Sequence, residues 1–110
     1  MINRLNLRPQ HRQQLEVLLQ QYLPNIEVWV YGSRVKGRSH EGSDLDLVLR
    51  SSDLAAIDNT KLSAFKDALQ ESTIPFLVEV RDWAKLPASF HREIEREHVV
   101  LRKAFAKVKL

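Results

Sequence analysis

At 110 residues, with 44% hydrophobic and 28% charged, the chain has enough apolar sequence for one modest core and no room for a second lobe. It contains no cysteine, which excludes disulfides and thiolate metal sites. Met1 is followed by neither a signal-peptide apolar core nor a membrane-length run, so cytoplasmic residence is the expectation. The net charge of +3 suits a polyphosphate or nucleic-acid partner, or at the termini (Arg4, Arg8, Arg12 and the Lys-rich end) a plain solvated surface.

Arg8-Pro9 opens the first helical pattern, with Leu15, Leu18, Leu19 and Tyr22 at helical spacing and Pro24-Asn25 as the stop. Residues 9–23 are therefore expected to form an amphipathic helix lying on a sheet. Ile26 to Tyr31 is β-branched and aromatic, and apart from Glu27 apolar on both faces, which fits an interior strand. Gly32-Ser33 then turns the chain into a short basic segment, Arg34 to Arg38. A polar loop, Gly37 to Ser43, returns it to a second strand, and His40 in that loop is read as exposed. In the second strand Leu45, Leu47 and Leu49 take one face, and Asp44, Asp46 and Val48 the other.

Ser51 to Asn59 reads as a connector with a short turn at Leu54 to Ile57, before a helix capped by Asn59 or Thr60 that carries Leu62, Phe65 and Leu69. Ile74-Pro75 ends that helix. Phe76 to Asp82 alternates as a third strand, with Leu77, Glu79 and Arg81 on one face and Phe76, Val78, Val80 and Asp82 on the other. Trp83 is expected in a core or interface. Pro87-Ala88-Ser89 starts a last helix that buries Phe90 and Ile94, and Val99 to Leu101 is a short edge strand. Arg92 and His98 have the spacing of a ribonuclease motif found in helical toxins, but charge pairs on an exposed helix explain them. The tail, residues 102–110, alternates basic and apolar residues without a clear element.

Chemistry concentrates between Gly32 and Glu79. Asp44 and Asp46 lie two residues apart on one strand face, a spacing at which two carboxylates can hold hard cations such as Mg²⁺. Two like charges on one strand are costly unless a cation neutralises them. Glu79 is the candidate third metal ligand, with Asp82 as its competitor on the opposite face. Gly32 allows close backbone approach to a ligand, and the N–H groups that follow it suit the outer phosphates of a nucleotide. Arg34, Lys36 and Arg38 fall between that turn and the carboxylates, where phosphates would lie.

The Gly32-Ser33 pair, the ten-residue gap and Asp44-Leu45-Asp46 resemble the active-site signature of the DNA polymerase beta-like nucleotidyltransferase superfamily. GSRVKG after a hydrophobic strand, in so short a chain, is similar to the minimal nucleotidyltransferases, many of them antitoxins. PFLVEVRDWAKLPASFHREIEREHVVL resembles the family's continuation, a strand with a third acid, an Asp-Trp and a helix. The resemblance implies a mixed α/β (α+β) fold with a short mixed sheet flanked by helices. It implies one minimal nucleotidyltransferase domain over residues 1–110, with its core at about 9–101 and a tail beyond it.

It also places the third acid at Glu79, where members more often carry Asp, and aligns the Asp-Trp with Asp82-Trp83. By the same resemblance Asp44, Asp46 and Glu79 hold two Mg²⁺ ions and carry catalysis. Gly32, Ser33 and Arg34 bind the nucleotide, with Arg34 meeting the departing pyrophosphate or capping the turn from outside. ATP is the implied substrate, and AMP passes to a tyrosine hydroxyl of a HEPN-type toxin partner in a hetero-oligomer, with no membrane or direct nucleic-acid role. Two alternatives stay open at this point. One is an antitoxin that acts by occlusion without catalysis; the other is the catalytic half of a small-molecule, antibiotic-type nucleotidyltransferase.

Overall fold

A computed structural model describes residues 5–37, 39–40 and 42–103. Arg4, Arg38 and residues 104–110 of the basic tail lie outside the described residues. The elements follow the patterns above closely. Helix α1 spans Pro9–Tyr22, β1 Glu27–Tyr31, α2 Ser33–Lys36, β2 Leu45–Arg50, α3 Asn59–Glu71, β3 Val78–Asp82, α4 Ala88–Arg96 and β4 Val99–Arg102, with a 3₁₀ turn at Trp83–Lys85. Pro9 starts α1 because its fixed φ suits the first turn and its missing N–H would have no helical partner there. The cap of α3 differs from the expectation. Asp58, one residue earlier, accepts the Thr60 N–H at 2.8 Å, since a side chain two residues ahead of the donor closes this ring best.

The sheet runs β3-β2-β1-β4. β2 is antiparallel to β1 and parallel to β3, with α3 as the crossover, while β4 pairs antiparallel with β1 on the far edge. Strand alternation sorts the side chains into two cores. On one face Val28, Val30, Leu45, Leu47 and Leu49 meet Leu15 and Leu19 of α1 and Leu62, Phe65 and Leu69 of α3. Burying each of these side chains contributes about 1.5–3 kcal/mol, and together they form the larger core.

The other face is covered by α4 and the Trp83–Lys85 turn, and its core is aromatic. Trp29, Val48, Trp83 and Ile94 pack there with Tyr31 and Phe90 at the margin. Arg50 lies over Trp29 at 4.0 Å and Trp83 at 4.6 Å, and pairs with its cross-strand neighbour Glu27 at 2.8 Å. His98 stacks on Trp29 and His91 on Trp83, each at 3.8 Å. His98 also bonds the Ile94 carbonyl, which gives it a structural task at the end of α4. Flat rings and a guanidinium fill a face that a nine-residue helix could not seal by itself. Among the described residues, no helix is long and apolar enough to cross a membrane.

Candidate active site

The strand register decides which acids meet. Tyr31 of β1 lies opposite Asp46 of β2, and Asp46 opposite Glu79 of β3, so the three form one row across the sheet on the α4 side. Neighbouring strands are about 4.8 Å apart, which brings the Asp46 and Glu79 side chains within reach of a common ion. Asp44 is exposed and lies one residue ahead of β2 rather than inside it. Its charge still acts on Asp46. Burial pushes the Asp46 carboxyl above its ordinary range, the charges of Asp44 and Glu79 push it further, and Arg81 works against them. Tyr31 is raised likewise, first by burial, with Asp46 and Glu79 adding and Arg81 opposing. Its hydroxyl oxygen is buried and finds no hydrogen-bond partner among the described residues.

Gly32 closes the row at the β1 end. Its φ of +84° is one that side chains disfavour, and a Cβ there would fall on Oδ2 of Asp46, 3.2 Å from Cγ. The backbone of the turn therefore touches the carboxylate directly. The Gly32 carbonyl accepts from Val35 and Lys36 at 3.1 and 3.2 Å and starts α2, so the Ser33 and Arg34 N–H groups precede the helix's own ladder. Gly37, with φ +76°, ends α2 in the left-handed region.

Arg34 departs from expectation. Its side chain is 3% exposed, points into the molecule and does not face the phosphate side of the turn. Nε and one terminal nitrogen donate to the Ser43 carbonyl at 3.0 and 2.8 Å, and the other donates to the Asn6 carbonyl at 2.8 Å. The guanidinium lies 4.1 Å from the Phe76 ring centroid. Burial lowers its pKa from the ordinary value, with Asp44 opposing. The reason is local: the first turn of α2 directs this residue towards carbonyls that no secondary-structure partner satisfies. Arg34 holds the loop ahead of Asp44, with Asn6 completing the clasp through its N–H to the Arg34 carbonyl and its side chain to Ser39.

Asp82, the competitor of Glu79, is 5% exposed and accepts the Ile57 and Ala84 N–H groups at 2.9 and 3.1 Å. It caps the turn that follows β3 and buries Trp83. His40 is exposed and accepts from Gly42 N–H within its loop. Sequence reasoning missed Tyr31 and Asn6. The alternation of β1 carried a signal for Tyr31, two residues from Trp29 on one face; Asn6 carried none. Among the described residues no three His, Asp or Glu side chains converge into a finished ion cage. The donor set still fits Mg²⁺, since it is all carboxylate oxygen, its charges repel one another at Asp46, and a backbone cradle adjoins it.

A sheet face that joins a glycine turn to a row of carboxylates in this order defines the nucleotidyltransferase palm. The family model of the central palm domain of mitochondrial-like poly(A) RNA polymerase matches residues 2–94. A probable protein adenylyltransferase MntA of Haemophilus influenzae is 34% identical over 98 residues, 89% of this chain and 84% of that protein. The chain belongs to the nucleotidyltransferase palm family, as a minimal nucleotidyltransferase.

Solved structures share the fold. A toxin–antitoxin structure with AMP-PNP aligns with a TM-score of 0.68 at 19% identity, over 84% of this chain and 73% of that one. A toxin–antitoxin MntA-HepT structure aligns with a TM-score of 0.65 at 15% identity, over 88% and 74%.

Proposed function

We propose that the chain transfers AMP from ATP to a tyrosine hydroxyl of a HEPN-type toxin, silencing it as a cytoplasmic antitoxin. The observation that carries this reading is the contact of Gly32 with Asp46, which joins a phosphate cradle to a carboxylate row. The MntA relative, named a probable protein adenylyltransferase, and the toxin–antitoxin structures with MntA-HepT and AMP-PNP support the choice of reaction, partner and nucleotide.

Gly32 and the N–H groups of Ser33 and Arg34 hold the outer phosphates and leave the α-phosphorus beside Asp46. Asp44, Asp46 and Glu79 would hold Mg²⁺, which would supply neutralisation of the charge that develops on phosphate oxygens. Glu79 takes the proton of the acceptor hydroxyl, directly or through water. The new bond joins the tyrosine oxygen to the α-phosphorus; the bond to the β-phosphate oxygen breaks, and pyrophosphate leaves. The Arg34 guanidinium positions Asp44 and meets no phosphate. Positioning and electrostatics supply most of the rate.

A second reading, neutralisation by occlusion alone, draws on Glu79, which stands where members of the family more often carry Asp. Intact mass spectrometry of the co-purified partner, with ATP and Mg²⁺, separates the two. AMP-sized increments with the unmodified chain and none with Asp44→Asn/Asp46→Asn are the result expected for transfer. An unchanged partner mass with both, together with equal binding, overturns it in favour of occlusion.

A further inference from the structure

We infer that the guanidinium of Arg81 binds a non-bridging oxygen of the α-phosphate and stabilises the charge that gathers there during transfer. The inference rests on the transfer reading above and adds a catalytic residue to it. A phosphoryl group in transfer spreads charge over its oxygens, and preorganised donors aimed at them supply much of the rate. Arg34, the arginine that the sequence placed among the phosphates, is buried and committed to the Ser43 and Asn6 carbonyls. The task falls to another cation on the carboxylate face.

Arg50 is held by Glu27 and lies over Trp29 and Trp83 in the aromatic core. Lys36 walls a cavity of about 270 Å³ together with Gly32, at the end of the row where the pyrophosphate leaves. Arg81 is exposed and stands two residues beyond Glu79 on the same face of β3. Among the described residues no ion pair joins it to a carboxylate.

The row Tyr31–Asp46–Glu79 crosses the sheet from the Gly32 turn at the β1 end to Glu79 at the β3 end. Phosphates held at the turn and a base at Glu79 set the in-line axis along this row, with the α-phosphorus beside Asp46. The non-bridging oxygens then lie across the axis, because only the attacking and leaving oxygens are in line. Across the row means along the strands, and the next pair on this face is Val48 with Arg81. Arg81 is thus a diagonal neighbour of Asp46, a separation of about 7–8 Å that a long side chain spans.

The guanidinium does lean that way. It lies 5.8 Å from the Phe90 ring centroid, and Phe90 in turn meets Tyr31 of β1 at 5.7 Å while packing against the cluster that holds Val48. From there its charge acts on both Tyr31 and Asp46. A side chain rooted on β3 that acts on β1 lies across β2, beside Asp46. Val48, its own cross-strand neighbour, is apolar and buried and offers the fork no acceptor.

The experiment uses the full chain, the partner that gains AMP in the mass measurement above, and ATP in which sulfur replaces one or the other non-bridging α-phosphate oxygen. Arg81→Gln is expected to lower kcat with ATP on the order of a hundredfold, the usual loss when one such donor is removed. Arg81→Lys, with one donor centre in place of a fork, should recover part of that rate. Arg92→Gln, on the exposed side of α4, is the control and should stay within about twofold. All three should unfold at the urea concentration of the unmodified chain. The deciding readout is the loss of rate that sulfur causes. For one of the two diastereomers that loss should shrink by about tenfold in Arg81→Gln, since the replaced oxygen has no donor left to lose; the other diastereomer should keep its loss. If Arg81→Gln slows ATP and both analogues by the same factor, Arg81 only balances the charge of Asp46, and the contact is overturned. A kcat within about twofold of normal in Arg81→Gln, while Asp44→Asn/Asp46→Asn abolishes transfer, also overturns it and leaves the reaction standing. Transfer that survives the carboxylate double variant removes the reaction and this inference together.

Discussion

Two hydrogen bonds, 2.8 and 3.0 Å long, run from the guanidinium of Arg34 to the carbonyl of Ser43, the residue immediately before Asp44. A side chain of α2 thereby fixes where the first acid stands relative to the turn that starts α2. Arg34→Met removes this grip and leaves the Ser43 and Asn6 carbonyls without their donor. The expected cost is about 3 kcal/mol in urea unfolding, because the bonds are buried and charge-assisted. Arg34→Lys, with one donor centre in place of a fork, should recover part of the stability and little of the kcat.

Gly32→Ala tests the contact between turn and carboxylate. The new Cβ would meet Asp46 Oδ2 in a backbone conformation at φ +84°, so either the turn opens or the carboxylate moves. Stability should fall by about 1–2 kcal/mol. Transfer should fall much further, on the order of a hundredfold, since a displacement of about 1 Å suffices for that. Retained transfer in a folded Gly32→Ala chain would remove this contact from the mechanism.

Asp46 should trade stability for activity. Its carboxyl titrates above the ordinary value when folded, so the folded chain binds that proton more tightly than the unfolded chain does. The stability this proton contributes is fully present below the unfolded pKa and is lost as pH rises through the folded one. Asp46→Asn should therefore melt higher than the unmodified chain near pH 7, with the difference vanishing in acid. Its transfer rate should drop on the order of a thousandfold. Mg²⁺ should raise the melting temperature of the unmodified chain and leave that of Asp44→Asn/Asp46→Asn unchanged; removal by a chelator reverses the rise.

Glu79 and Asp82 should separate cleanly, three residues apart. Glu79→Gln is expected to leave urea unfolding within about 0.5 kcal/mol and to abolish transfer. Asp82→Asn removes one acceptor oxygen from a buried pair of N–H groups and should cost about 1–3 kcal/mol. Transfer by the part of the Asp82→Asn chain that remains folded should be near normal. A reversed pattern would make Asp82 the third ligand.

Much of this was written in residue order, since the period of the pattern carries it. Leu15, Leu18 and Leu19 at helical spacing, and Leu45, Leu47 and Leu49 at strand spacing, announce their elements and their buried faces before any contact is known. Asp44 and Asp46 share a face for the same local reason. Glu79 joins them only through the parallel pairing of β2 with β3, a register set by α3 and by the packing of Phe65 beneath the sheet.

What the sequence determined by itself was the set of parts: a turn that needs glycine, two acids on one strand, and a third acid on an alternating segment. Those depend on backbone geometry within a few residues. Tertiary structure alone decided the assignments between distant positions. Arg34, read as a phosphate ligand, turns inward because unpaired carbonyls at Ser43 and Asn6 lie beneath it. Asp82 became a cap because Ile57 and Ala84 bring N–H groups to it. A charged side chain goes where its partners are, and partners nine, twenty-five or twenty-eight residues away exist only once the chain has folded.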